Sequence, residues 1–384
     1  MKIASLELKP LRIPFRVAFK HASAERNKTQ AVLAIARSAD GLTGYGEGCP
    51  RDYVTGETDA SVAGFFEMHR HDIESTVTDL ASLRAWCERH APDIDKNPAA
   101  WCALELALLD LFAKQDNRSV ESLLGLPPLA GPFVYSAVLG AMGAKQFAET
   151  LGRYRKLGLR DYKIKLSGDA ERDRANIAVL RDAGIVPARA RADANNLWSD
   201  HDVARDYLRS LDFPFAAIEE PLRPGRFDDL ARLAGALATR IVLDESITRE
   251  NQLAQLPGAA RQWIVNLRVS KMGGLLRSLA VAQRCRERGI AMIVGAQVGE
   301  TSLLTRAALI VAQAARDIVI AQEGAFGTML LESDAVQPML MFGAAGELDV
   351  NSLRLEELPG FGLAPVPDLE RYLHRDTKEA PRGD

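Results

Sequence analysis

Two lysines and three carboxylates in this chain sit at spacings that chemistry can use. Lys163 and Lys165 flank Ile164 in the stretch Asp161-Tyr-Lys-Ile-Lys165. Side chains alternate along a strand, so both lysines point one way while Tyr162 and Ile164 point the other. Two ammonium groups on one buried face repel each other, and desolvation works in the same direction. Both effects push at least one pKa down toward the range where an amine takes a proton at neutral pH. Such a pair reads as a base and its electrostatic helper, although an edge strand that uses lysine against aggregation carries the same residues. Downstream, Arg189-Ala-Arg-Ala-Asp193 ends in Asp193, Phe215-Ala-Ala-Ile-Glu219 in Glu219 and Ile241-Val-Leu-Asp244 in Asp244. Glu219 follows Asp193 by 26 residues, and Asp244 follows Glu219 by 25. Three hard anionic oxygens at one mouth repel one another unless a cation lies between them, and an oxygen-only set suits Mg²⁺ or Mn²⁺. A helix N-cap explains any one acid after a strand. Three in phase, beside a lysine pair, favour the metal.

Those spacings need a frame that brings successive strand ends to one place. Short β-rich runs begin near Phe133, Arg160, Ala188, Phe215, Ile241, Trp263, Ala291 and Asp317, at intervals of 22 to 28 residues. Helical stretches such as Ala170 to Ala183 and His201 to Leu211 fill the gaps. Eight β-α units of this length total close to the roughly 250 residues of a closed barrel, whose chemistry sits at the C-terminal strand ends. An open doubly wound sheet is the competitor, but no Gly-x-Gly-x-x-Gly follows a first strand. Ahead of this, residues 1–125 read as a small α+β domain. Strands lie within 2–17 and 29–48, helices near 58–73, 80–90 and 98–116, the last from the repeat Ala99, Cys102, Ala103, Leu106, Leu109, Phe112. Polar or Gly/Pro-punctuated stretches at 18–28 and 48–57 read as loops. The barrel is expected over 126–350, and 351–384 either returns to the first domain or frays.

Composition excludes several classes. At 384 residues the chain exceeds one ordinary core, so two domains, or one with an appendage, are expected. A net charge of -3 gives no electrostatic case for nucleic acid or an anionic membrane. No apolar run reaches the roughly 18–20 residues of a membrane span, and Met1-Lys2-Ile3-Ala4 shows no signal-peptide pattern. Cys49, Cys87, Cys102 and Cys285 lie far apart, which argues for free thiols in a reducing cytoplasm rather than a thiolate zinc site. The six histidines, His69 and His71 among them, read as solvated or structural. A metal-dependent hydrolase on the same frame would need histidines at strand ends, and none lies at one.

Lys163-Ile-Lys165, Asp193-Ala-Asn195, Ile218-Glu-Glu-Pro221, Leu243-Asp-Glu-Ser246 and Lys271-Met-Gly-Gly274 resemble, in order and spacing, the enolase superfamily. The lysine pair is similar to the muconate-lactonizing subgroup of the mandelate racemase/muconate lactonizing enzyme family, which includes muconate cycloisomerases, o-succinylbenzoate synthases and dipeptide epimerases. The resemblance implies an α/β fold, a (β/α)7β TIM-like barrel with an N-terminal α+β capping domain whose two loops, near 18–28 and 48–57, close over the mouth. It implies a single Mg²⁺ (Mn²⁺ as the substitute) on Asp193, Glu219 and Asp244, Lys165 as general base and Lys163 lowering its pKa. It further implies a small carboxylate substrate and a homo-oligomer. Asn195, Glu245, Asn266 and Lys271 then fall where they support the ligands or the substrate. The physical logic is independent of the name: a proton removed next to a carboxylate leaves an enediolate too basic for water, and a divalent cation offsets its charge.

Two strand ends depart from the family pattern. A second catalytic lysine commonly ends the sixth strand, but Asn266-Leu-Arg268 puts Arg268 there. A guanidinium stays protonated and cannot act as a base. Inverting a stereocentre needs proton carriers on both faces, so Arg268 points to one-base chemistry, with Lys165 alone and the guanidinium holding a carboxylate or the enediolate. Dipeptide epimerases usually carry two aspartates on the eighth strand, where this chain reads Ala321-Gln-Glu323; Glu323 is left as a candidate for a cationic group. Glu300, after the seventh strand, is a candidate for substrate or lysine contact, or a helix N-terminal acid. The ordering expected is cycloisomerisation, then acid dehydration, then epimerisation. A non-catalytic descendant binding metal and acid is the competing class. His21, Arg26 and Tyr53 in the cap loops are candidates for substrate selection.

Overall fold

The computed structural model describes residues 1–21 and 24–373, without the side chains of 17–26 and 356. The chain opens with β1 (Ile3–Leu11), β2 (Pro14–His21), β3 (Ala24–Lys28), β4 (Ala31–Ser38) and β5 (Thr43–Gly48). A three-stranded antiparallel sheet runs β1-β4-β5, while β2 and β3 pair apart from it. The stretch 18–28, read as a loop, is therefore hairpin over its described backbone. Ala24–Lys28 has no apolar alternation in sequence, yet its backbone pairs with β2.

Six helices follow: α1 (Asp52–Thr55), α2 (Asp59–Thr76), α3 (Leu80–Arg89), α4 (Ala91–Ile94), α5 (Pro98–Gln115) and α6 (Val120–Leu124). Thr58 and Asp79 cap α2 and α3 reciprocally with Ser61 and Ser82. α5 is buried from Pro98 to Ala113 and lies directly on β5. Strand alternation puts Gly44, Gly46 and Gly48 on one face, and a Cβ at any of them would collide with the carbonyls of Ala107, Ala103 or Ala99. Here glycine is needed for close approach rather than for an unusual φ.

After β6 (Phe133–Val134) come the barrel strands β7 (Ala137–Leu139), β8 (Tyr162–Lys165), β9 (Ala190–Asp193), β10 (Ala217–Glu219), β11 (Arg240–Leu243), β12 (Trp263–Leu267), β13 (Ala291–Val294) and β14 (Val319–Gln322). They form one parallel eight-stranded sheet in sequence order. The Ser136 N–H donates to the Gln322 carbonyl at 2.8 Å, bringing the sheet's two ends together. Phe133, expected to open the first barrel strand, instead pairs in β6 with Glu347–Leu348. Helices α7 (Ala144–Lys156), α8 (Ala170–Asp182), α9 (His201–Ser210), α10 (Phe227–Leu237), α11 (Val269–Met272), α12 (Leu275–Arg288) and α13 (Ser302–Ala314) fill the crossovers. The crossover from β11 to β12, the shortest interval in sequence, holds only 3-10 turns. From 351 to 373 the chain runs back over the cap: Gly360 bridges Ser119, Leu373 bridges Leu11, and Arg12 N–H donates to Tyr372 O at 2.9 Å.

Two buried cap carboxylates join the halves. Glu47 accepts from Thr301 N–H at 3.0 Å and Leu304 N–H at 3.3 Å, at the start of α13. Glu105 accepts from Leu276 N–H at 3.0 Å, at the start of α12. A helix N-terminus has unpaired N–H groups and a positive dipole end, so an acid there satisfies both. Among the described residues no helix is long and apolar enough to cross a membrane.

Candidate active site

The barrel's interior floor is apolar: Ala217, Val242, Ile264 and Ile293, with Ala321 against them. A strand repeats its facing every two residues. The next inward positions toward the mouth are therefore Glu219, Asp244, Asn266, Gly295 and Glu323. Lys165 and Glu219 both stand in register with Asp193 on the intervening strand. Gly295 is fixed by what faces it, since a Cβ there would collide with Asn266 Oδ1. A polar ring thus sits on an apolar plug.

Lys163 is buried at the centre of the acids. Its Nζ lies 2.7 Å from Glu219 Oε2, 3.1 Å from Asp193 Oδ2 and 3.1 Å from Glu323 Oε2. Lys165 Nζ donates to Asn195 Oδ1 at 2.7 Å and Asp193 Oδ2 at 3.0 Å. On the far side Arg268 bonds Asp244 Oδ2 and donates to Gln297 Oε1 at 2.9 Å. Lys271, fully buried, donates to Asp244 Oδ1 at 2.9 Å and to the carbonyls of Asp244 and Asn266. Asn266 Nδ2 donates to Glu219 Oε1 at 3.0 Å. Glu220, in a left-handed conformation, turns away and accepts from Asp244 N–H, Ser246 N–H and Ser246 Oγ, so it shapes the loop that carries Asp244.

The electrostatics around Lys163 are set by acids that its own strand does not carry. Burial alone would depress Lys163, but the carboxylates of Asp193, Glu219 and Glu323 outweigh it and push the pKa well above the ordinary lysine value. The pair was expected to contain a depressed lysine; Lys163 is not it, because three acids surround it where the sequence showed one like charge. Burial raises Asp193 too, yet Lys163 and Lys165 hold it below the usual carboxylate range. Asp244 is lowered likewise against burial by Arg268 and Lys271. Glu219 goes the other way, to about 8: burial and the carboxylates of Asp193, Glu323 and Asp244 exceed the pull of Lys163.

A cavity of about 480 Å³ opens above these groups, lined at its base by Lys163, Lys165, Asn195, Glu245, Arg268 and Glu323 and higher by Tyr53, Gln297 and Glu300. Its outer wall is largely apolar, from Tyr154, Leu157, Phe326, Met329, Leu330 and Leu331, with Thr150 and Arg153 on the same helix as Tyr154. Glu300 accepts from Gln297 N–H at 2.6 Å, which makes it a brace of its own loop. Glu323 is paired to Lys163 and, at 3.2 Å, to Arg191, so its charge is already matched by protein cations. Arg191 escaped the sequence reading although alternation from Asp193 pointed to it; Gln297, in an unpatterned loop, gave no signal. Lys271 lies under the site rather than on its wall. The side chains of His21 and Arg26 lie outside the described residues.

Asp193, Glu219 and Asp244 suit a hard divalent cation by donor chemistry: all oxygen, anionic, buried, and delivered by three successive strands. Glu245 Oε2 and Asn266 Oδ1, beside them, are buried acceptors without a hydrogen bond. The three are not drawn to ligand spacing: among the described residues, donor groups within 4.8 Å of one another lie at His69, His90 and Asp93 and at Asp200, His201 and Asp202. Lys163 stands between Asp193 and Glu219, and Arg268 reaches Asp244 while lying 4.0 Å from Glu219. The two side-chain cations supply the countercharge that a metal would share.

Residues 3–125 match the family described as mandelate racemase / muconate lactonizing enzyme, N-terminal domain, and residues 146–369 that described as enolase C-terminal domain-like. The chain is 30% identical over 382 residues to the L-Lys-D/L-Arg epimerase of Methylococcus capsulatus, covering 96% of this chain and 100% of that protein. It is 26% identical over 365 residues to the hydrophobic dipeptide epimerase of Enterococcus faecalis, covering 91% and 100%. The crystal structure of a dipeptide epimerase from Methylococcus capsulatus, complexed with Mg and the dipeptide L-Arg-D-Lys, superposes with a TM-score of 0.79 at 27% identity over 95% of this chain and 100% of that one. Epimerisation, placed last among the outcomes above, is the activity these relatives are named for.

Proposed function

Since the chain belongs to the mandelate racemase/muconate lactonizing enzyme family of the enolase superfamily, we propose that it is a Mg²⁺-dependent isomerase that moves the proton next to the carboxylate of a small acid, with Lys165 as base. The observation that carries this is the opposition of Lys165 and Arg268. They come from the second strand and the end of the sixth, four apart in a ring of eight, and both line the cavity. Asn195 and Asp193 fix the Lys165 amine at the cavity base, where it accepts the proton. Arg268 is a permanent cation that pairs with the charge left behind. Asp193, Glu219 and Asp244 would hold Mg²⁺, which when bound offsets the negative charge that grows on the acid's oxygens. Lys163 holds Asp193 and Glu219 in place, and Lys271 holds Asp244. The apolar outer wall suits a substrate with a hydrophobic group beside its acid.

Arg268 directs the outcome to one face: proton removal and return by Lys165, or rearrangement of an unsaturated acid from that face. Epimerisation is the second reading, supported by the full-length similarity to an epimerase at 30% identity; it requires a proton carrier opposite Lys165 that a guanidinium does not provide. A panel of dipeptides, N-acyl amino acids and muconate, incubated with enzyme and Mg²⁺ in D₂O, separates these by NMR and chiral chromatography. The expected result is deuterium at the carbon next to the carboxylate with configuration retained, or one-face consumption of muconate, slowed ~10²–10⁴-fold in Lys165→Ala. Inversion by the wild-type chain would replace this reading with the epimerase. Inertness toward every acid would sink both.

A further inference from the structure

Far from the barrel mouth, the cap gathers a second set of donors that the proposed activity does not use. His69 of α2 is 6% exposed, and its Nε2 makes no hydrogen bond. That nitrogen lies 3.6 Å from Asp93 Oδ2, on α4. His90, between α3 and α4, places Nδ1 3.8 Å from the same oxygen. All three donors lie within 4.8 Å of one another. We propose that His69, His90 and Asp93 form a second metal site, for a transition-metal dication such as Zn²⁺ or Co²⁺, that clamps α2 to the α3–α4 corner.

Tetrahedral zinc, with bonds of about 2.0–2.1 Å, spaces its ligand atoms about 3.4 Å apart. The two measured distances to Asp93 need a closure of only a few tenths of an ångström. The surroundings hold the rings ready. Trp86 stacks on His90 at 4.1 Å and meets His69 edge-on at 5.4 Å. The other nitrogen of His90, Nε2, lies 3.5 Å from Asp72 Oδ2, and that oxygen accepts the Trp86 indole N–H at 2.6 Å. This Nε2 makes no hydrogen bond as the chain stands, and a small approach to Asp72 would give the carboxylate–imidazole pair that fixes the tautomer and orientation of metal-binding histidines. Asp93 is 43% exposed, which gives an ion a way in and leaves room for water as a further ligand. Two nitrogens and one oxygen select zinc, cobalt or nickel over magnesium, so this donor set and the oxygen-only set in the barrel sort different metals. Sequence spacing hides the cluster, because its histidines stand on different elements 21 residues apart.

The test uses the full chain, treated with EDTA and returned to excess Mg²⁺, then titrated with CoCl₂ and ZnCl₂. The expected result is one Co²⁺ per chain with visible d–d absorption, displaced by Zn²⁺, and a raised thermal midpoint. Affinity should fall at least ~10-fold in Asp93→Asn, whose side chain is part-exposed, and in His90→Gln, and by ~10–100-fold in Asp72→Asn, which removes the charge behind the ligand while keeping an oxygen for the Trp86 N–H. Cobalt absorption that survives unchanged in all three variants belongs to the barrel and would overturn the proposal. So would the absence of any Co²⁺ binding by the wild-type chain in excess Mg²⁺.

Discussion

At the residue scale Arg268 decides the most. It pairs with buried Asp244 and shares it with Lys271, so Asp244 keeps one cation when Arg268 is replaced. Arg268→Lys should therefore fold, and it places a titratable amine opposite Lys165. The expected outcome is epimerisation of an acid that the wild-type chain exchanges with retention, read by chiral chromatography. Glu323 makes a contrasting case. It is the common partner of Lys163 and Arg191, and Glu323→Ala would leave two buried cations short of an acceptor. A loss of ~3–5 kcal/mol in urea unfolding is expected, where a substrate-binding role would instead have raised KM with stability unchanged. Strand alternation put Lys163 and Lys165 on one face, and one-unit spacing brought Asp193 and Glu219 to neighbouring strand ends. It could not give the sign of the Lys163 shift, which depends on Glu323, 160 residues away in sequence.

Among the elements, α5 on the glycine face of β5 is the tightest contact in the cap. Gly46→Ala would drive a methyl into the Ala103 carbonyl, and helix and strand must part to admit it. The expected cost is ~3 kcal/mol or more, measured by thermal and denaturant unfolding. Glu57 holds the start of the same helix, accepting from Ala99 N–H at 2.9 Å and Ala100 N–H at 3.1 Å. Burial lifts its pKa from the ordinary 4.5 to about 7, against the hydrogen bonds from Thr55, Ala99 and Ala100. The folded chain then keeps a proton that the unfolded chain releases, so Glu57 loses stabilising effect as pH rises from about 4.5 to about 7 and levels off above. The wild-type chain should lose stability across that window relative to Glu57→Gln, in unfolding curves taken at several pH values. The long helices were legible because their apolar period is strong. The pairing of β2 with β3 was not, since Ala24–Lys28 carries no apolar alternation, and the β11–β12 crossover announced itself only as a short interval.

For the whole molecule, the alternation of strand and helix signals and the one-unit spacing of the acids carried the barrel in sequence, and the ordered motifs carried the family. What the sequence could not carry was the seam. Glu47 and Glu105 gave no signal in sequence, yet each sits on the first turn of a barrel helix, and the segment Gln297–Glu300 that lines the cavity runs directly into the helix Glu47 holds. Each half therefore completes the other's unfinished peptide groups. A cap without an acid at either place would leave those amides unanswered and the cavity loop slack. Recombination within this lineage should succeed only when both pieces travel together.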